Sequence, residues 1–240
     1  MYRGLIKICS TCMAMLWLAM PGAESLAEQA RAGFLLYGER EAGGEEVVNR
    51  LLFTSDKLRI EPLDQAGGYI LYHSEAATIY SVTPDERTIL VIQPEAERVK
   101  IPDDMALRLE RIDDIDAPAI GGSKPQHWRL TVNEIVCRDV ILAPGLMTDQ
   151  LLLYRDYLML LAKQHYLGLD AIPGEYRDPC DDVVHVFAPA LFLEKGLPIR
   201  IWDQRGSQQS LLDFSVEKQV GIELFHLPKD YHFVPMSRLQ

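Results

Sequence analysis

Cysteine is scarce in this chain of 240 residues: there are four, and two of them, Cys9 and Cys12, lie in an apolar N-terminal run. The other two, Cys137 and Cys180, are too few for a framework of several bridges or for a four-thiolate zinc site. Basic charge is also short, with 24 Lys and Arg against 35 Asp and Glu and a net charge of −11. That excess argues against a nucleic-acid backbone or an anionic membrane surface as the main partner, because both recruit basic patches. Beyond the N-terminus no apolar run is long enough to span a bilayer, so the chain from Glu28 onward is expected not to be transmembrane.

Familiar catalytic spacings are missing too. There is no Gly-rich phosphate loop, nucleophile elbow or zincin helix. Gly121-Gly122-Ser123-Lys124 lacks the strand and helix that would flank a phosphate cradle, with Pro125 following at once, and reads as a plain loop. Asp113, Asp114 and Asp116 lack the alternation and distal Glu of a calcium loop and read as a solvated acidic turn. The six histidines are scattered, and each reads as a surface or half-buried residue. No catalytic residue, metal ligand or cofactor site is assigned, and the chain is expected not to be an enzyme. A hydrolase of unrecognised type is the remaining catalytic reading.

What is present begins with an export signal. Arg3 and Lys7 precede an apolar run from Ile8 to Met20, and Pro21-Gly22-Ala23-Glu24-Ser25-Leu26-Ala27 forms a polar exit with small residues at Ser25 and Ala27. Residues 1–27 are therefore expected to be a signal peptide cleaved before Glu28, leaving 28–240 as one periplasmic domain. A retained anchor is the alternative, but 13 apolar residues fall short of the ~20 a spanning helix needs. Acylation at Cys9 or Cys12 would leave too little apolar segment ahead of it. In an exported chain the two remaining cysteines, Cys137 and Cys180, are expected to pair. A metal site using Cys180 and His185, or a reactive thiol, stays open as the alternative.

From Ala32 to Gln93 the chain reads as strands. Ala32 to Tyr37 and Glu46 to Phe53 flank a turn-rich Gly38–Gly44, and short β-branched and aromatic runs follow, reversed at Asp64–Gly68 and Thr83–Arg87. This predicts an antiparallel meander. Arg108–Ile112 reads as a short helix, and His127 to Ala143 returns to strand character. The one long helix is predicted over Thr148–Leu167, with Thr148 as N-cap and Gly168 as its stop. Its apolar face is Met147, Leu151, Tyr154, Leu158 and Leu161, yet Leu153 and Leu160 fall among Asp149, Asp156, Lys163 and Gln164. Such a helix is either buried on two sides or caps something apolar. Strands are expected again over Val183–Phe187, Ile199–Trp202, Leu211–Glu217 and Gly221–Leu227, with Pro228–Phe233 extended.

In this order the elements resemble the periplasmic half-barrel proteins typified by the outer-membrane lipoprotein carrier, and more closely an uncharacterised bacterial family of that fold. The residues carrying the likeness are Asp56-Lys57-Leu58-Arg59-Ile60-Glu61, the run Ile79 to Thr88, the pair Cys137 and Cys180, Gly196-Leu197-Pro198-Ile199-Arg200, and Leu224 to Tyr231. The resemblance implies a mainly β (α+β) fold, a curved open antiparallel sheet or half-barrel with a long helix over its concave face. It further implies an apolar cavity for a lipid or lipidated partner. Leu151, Tyr154, Tyr157, Leu158 and Leu161 are the expected lining residues, since surplus leucines suit a lid. The alternative is an envelope interaction or regulatory protein that docks another protein and fills the cavity with its own side chains.

Overall fold

The structure is a computed structural model that describes residues 28–63, 67–94 and 99–236. The expected signal peptide, and Asp64–Ala66 of the predicted turn, lie outside the described residues.

Alternating apolar and polar residues build twelve strands: β1 (Gln29–Arg40), β2 (Glu46–Phe53), β3 (Lys57–Pro62), β4 (Tyr69–His73), β5 (Thr78–Thr83), β6 (Thr88–Ile92), β7 (Leu107–Ile112), β8 (Gln126–Val132), β9 (Ile135–Ala143), β10 (Leu197–Trp202), β11 (Gln208–Gly221) and β12 (His232–Pro235). All lie in one open, curved sheet, in the order β12-β6-β5-β4-β3-β2-β1-β11-β10-β9-β8-β7. The predicted meander is present as β2 to β6, each strand antiparallel to the next. The last strand departs from the pattern, because β12 runs parallel to β6 from His232 beside Thr88 to Pro235 beside Val91. β1 and β11 close the middle of the sheet, joining an N-terminal set of strands to a C-terminal one.

Three local expectations are corrected. Arg108–Ile112 belongs to strand β7 rather than a helix: Leu107 and Leu109 alternate with Arg108 and Glu110, a period of two that pairs with β8 without a break. Val183–Phe187 is a π-helical turn continuing the short helix α2 (Pro179–Asp182), not a strand. The Asp178 carboxylate caps α2 by accepting from the Cys180 and Asp181 amides, which commits the β-branched run behind it to helical geometry. Gly221–Leu227 is a strand only at its first residue, and Ile222–Phe225 folds as a 3₁₀ turn.

The long helix α1 spans Thr148–Leu169, passing through Gly168, where a stop was expected. Its buried residues include Leu151, Leu153, Tyr157 and Leu160, packed with Leu35, Tyr37, Leu51, Phe53, Leu58 and Tyr72 of the sheet. At 100° per residue the buried positions alone sweep about 200° of the helix, from Leu160 and Leu153 round to Leu151 and Ala162, twice the stripe a helix ordinarily presents to a core. Leu153 and Leu160 are thus core residues, and two-sided burial accounts for them.

A second apolar layer lies on the other face of the sheet, where Ala32, Phe34, Leu52 and Leu71 are covered by Phe225 of the 3₁₀ turn. Arg59 ties that turn down, with its guanidinium over the Tyr69 ring, an ion pair to Glu61 and a hydrogen bond donated to the Leu224 carbonyl. A third layer joins Leu130, Val132, Val140 and Leu142 of β8 and β9 to Val183, Val184 and Phe192. Cys137 and Cys180 sit within it at disulfide distance, with Cα atoms 5.2 Å apart. No helix among the described residues is long and apolar enough to cross a membrane.

Candidate binding site

Between β9 and α1 the chain must reverse within four residues, and its backbone shows how. Gly145 (φ 76°) and Met147 (φ 53°) take left-handed conformations, and α1 starts at Thr148 with Met147 as the N-cap residue. Thr148 is thus the first helical residue rather than the cap, and no side chain caps this end. Burial of the Met147 side chain offsets the cost of its backbone conformation. On the neighbouring connection Gly196 has φ 146°, and a Cβ there would stand 2.7 Å from the Ala143 carbonyl oxygen. Only glycine lets β10 start so close to the end of β9.

These two constraints bring the first turns of α1 against residues 193–196 and leave a groove of about 260 Å³ between them. Leu146, Leu151, Leu152 and Leu193 supply its apolar wall, and Arg155, Glu194 and Lys195 are its charged lining residues. Lys195 also places its ammonium 5.5 Å from the centre of the Trp128 ring.

Of the five residues expected to line a cavity, Leu151 alone borders this groove. It is also in the helix–sheet core, where Tyr157 is buried and Tyr154, Leu158 and Leu161 pack half-buried. Tyr157 lies 5.9 Å from Tyr72, Tyr154 meets Phe53 edge-on at 6.4 Å, and the two helix tyrosines stack at 6.1 Å. The protein's own side chains therefore occupy the ground between α1 and the sheet at these positions. Burial pushes the Tyr157 hydroxyl up to about 12. Tyr154 is raised further, by burial and then by Glu39 and Tyr157. Tyr37 is also raised, chiefly by burial, and donates to the Pro198 carbonyl at 2.9 Å. These phenols stay neutral and act as packing groups, not nucleophiles.

Polar clusters that the linear pattern did not reveal lie elsewhere. His127, buried on β8, places Nδ1 at 2.8 Å from an Asp114 carboxylate oxygen and Nε2 at 2.8 Å from one of Asp139, while Arg129 donates to Asp139 at 2.9 Å. With both nitrogens engaged, the ring is a clamp holding the loop after β7 against the sheet, and no nitrogen is free for proton transfer. Asp113 pairs with Arg111, so two of the three loop aspartates are committed to side-chain partners. Beside the cysteine pair, Arg205 bridges Asp178 and Asp181, and Arg177 holds Asp182. The Gly121-Gly122 loop is a tight turn bridging Ile120 to Ser123, whose hydroxyl donates to the Pro144 carbonyl. Among the described residues no three His, Cys, Asp or Glu side chains cluster as a metal site would require. The signal that could have found the His127 clamp was its alternation with Arg129 on one strand face, opposite Asp139 of the next strand.

A scan of protein-family models gives no match, and neither does a search of curated proteins. Among solved structures the chain is similar to an uncharacterized conserved protein from Thermus thermophilus, at 12% identity, covering 88% of this chain and 92% of that one with a TM-score of 0.42. It is also similar to PNGF-II in its C2 crystal form, at 9% identity over 88% of this chain and 32% of that one, TM-score 0.43. For the P21 form the figures are 9%, 86%, 32% and 0.39. At these scores and identities the likenesses establish neither a family nor an activity.

Proposed function

We infer that this is an exported, non-catalytic binding protein of the bacterial envelope, a half-barrel of the lipoprotein-carrier type with α1 on its concave side. It engages the apolar part of a lipid or lipidated partner at the groove beside the start of α1. One observation carries this reading: Leu146, Leu151, Leu152 and Leu193 converge on an open groove whose charged lining residues are Arg155, Lys195 and Glu194. An apolar wall whose charged lining has two cations against one carboxylate suits an acyl chain bearing an acidic head. The volume is below the range of drug-sized pockets, so the groove holds the end of a chain rather than a whole lipid. Burial there contributes about 25 cal/mol per Å² removed from water. Export is supported by the cysteine pair at disulfide distance, an arrangement that suits an oxidising compartment.

Native mass spectrometry with organic extraction, on protein taken from the periplasm without detergent, tests this reading. A co-purifying lipid mass that disappears in Leu152→Asp supports it. Leu152 is exposed, so the variant leaves the core intact. An apo protein that also fails to bind a fluorescent fatty acid refutes it.

The packed interface between α1 and the sheet favours a second reading, an envelope interaction protein that docks a protein partner and carries no lipid. A stoichiometric protein partner without lipid, captured from the periplasm, separates it from the first.

A further inference from the structure

We propose that β7 is a self-pairing edge, through which two copies of this chain join their sheets about a two-fold axis at Leu109. Among the described residues β7 has β8 on one side and no strand on the other. The opposite end of the sheet is protected: β12 is four residues long and ends in Pro235. β7 has six residues with no Pro, no Lys and an unbroken ladder to β8, and the charges it carries, Arg108, Glu110 and Arg111, are of both signs.

Its backbone direction is fixed by the next turn. Asn133 (φ 47°) and Glu134 (φ 69°) form a two-residue hairpin loop, so Val132 and Ile135 are the hydrogen-bonded pair that closes it. Val132 therefore turns its backbone groups toward β9, and Thr131 and Asn133 turn theirs toward β7. The contacts agree: the Asn133 amide donates to the Ala106 carbonyl, and its side chain accepts the Ala106 amide. Alternation then directs the N–H and C=O of Ala106, Arg108, Glu110 and Ile112 to β8, and those of Leu107, Leu109 and Arg111 outward.

Antiparallel pairing with a second copy must set outward residues opposite outward residues. Within β7 this leaves two-fold axes at Arg108, Leu109 or Glu110. The first places Arg108 opposite itself, and the third does the same for Glu110; like charges directly opposed disfavour both. The axis at Leu109 sets Arg108 of each copy opposite Glu110 of the other, two ion pairs on one face. On the other face Leu109 meets Leu109, and both already pack on the apolar layer of β8 and β9, which becomes continuous across the axis. One strand pair is a small interface, so the dimer is weak and concentration-dependent.

Sedimentation equilibrium of the protein from Glu28 onward, from micromolar to millimolar concentration, tests the proposal. The expected result is a reversible monomer–dimer equilibrium that Arg108→Glu or Glu110→Arg weakens about tenfold or more. Arg108→Glu/Glu110→Arg together restores it. Arg111→Pro removes an outward N–H that β8 does not use and abolishes the dimer, with an unchanged urea midpoint as the check on folding. If Arg111→Pro does not fold, the charge-reversal set decides. A monomer at every concentration, or a dimer indifferent to both charge reversals, overturns the proposal.

Discussion

Leu152 and Leu153 are adjacent on α1 but about 100° apart around it, and the structure gives them opposite roles. Leu153 is 7% exposed in the helix–sheet core, whereas Leu152 is 46% exposed on the outer side. If α1 is an integral wall of the fold, Leu153→Ala removes buried methyl groups from a site closed by neighbouring strands, at a cost of ~2–3 kcal/mol. That is the lower half of the usual Leu→Ala range, because Leu153 keeps some exposure whereas Leu35 and Leu58 of the same layer keep none. For a domain of this size each kcal/mol moves Tm by ~2–4 °C, so a drop of ~5–10 °C is expected. Leu152→Ala should stay within ~0.5 kcal/mol, as exposed positions do. Urea unfolding of the three proteins, read as a midpoint shift at constant m, makes the comparison. Equal small effects, or a larger effect at Leu152, would refute the packed-helix description and return α1 to the role of a loosely seated lid.

Cys137→Ser/Cys180→Ser should cost ~4 kcal/mol in the chain-entropy treatment of a loop closed across 43 residues. Peptide mass mapping without reductant should find the two joined in exported protein, and free thiols there would contradict the pairing. His127→Ala strands the Asp139 carboxylate in a buried site with Arg129 as its remaining partner, and ~3 kcal/mol of stability should go with it. His127→Phe/Asp139→Leu should recover most of the loss in the same unfolding assay. For Glu61 burial pushes the carboxyl pKa up, but hydrogen bonds and charge from Arg59 and Arg50 prevail and hold it below its ordinary value. Its contribution is therefore complete above the ordinary carboxylate value of ~4.3 and is lost as pH falls through the lower folded value. Wild type and Glu61→Gln should differ at neutral pH and converge in acid, and a gap that widens on acidification would show the sign to be wrong.

Much of the first half of the fold was legible because its information is local. Two-residue alternation, with turn residues between the runs, specifies β1 to β6 wherever one face is buried, and the same logic located β8, β9 and β11. Local signals failed where a neighbour outweighed them. Val183–Phe187 has the composition of a strand, but the capped helix in front of it carries the chain into a π-helical turn. Arg108–Ile112 was too short for helix and strand patterns to be told apart without β8 beside it. The leucines of α1 announced that more than one side of the helix had to be covered. Whether protein or ligand covers them is decided by Tyr72, Phe53 and Leu35, which lie about 80 to 125 residues away in the chain.

By itself, then, the sequence determined that the chain is mainly β with one long helix, that it begins with the pattern of an export signal, and that Cys137 and Cys180 are a natural pair. Each follows from composition or short-range periodicity. Tertiary structure alone decided that β12 returns parallel beside β6, that His127 sits between Asp114 and Asp139, and that the open groove lies at the start of α1 rather than beneath its middle. Those outcomes depend on which distant strands are neighbours, and pairing is a property of the whole sheet that no window of sequence contains.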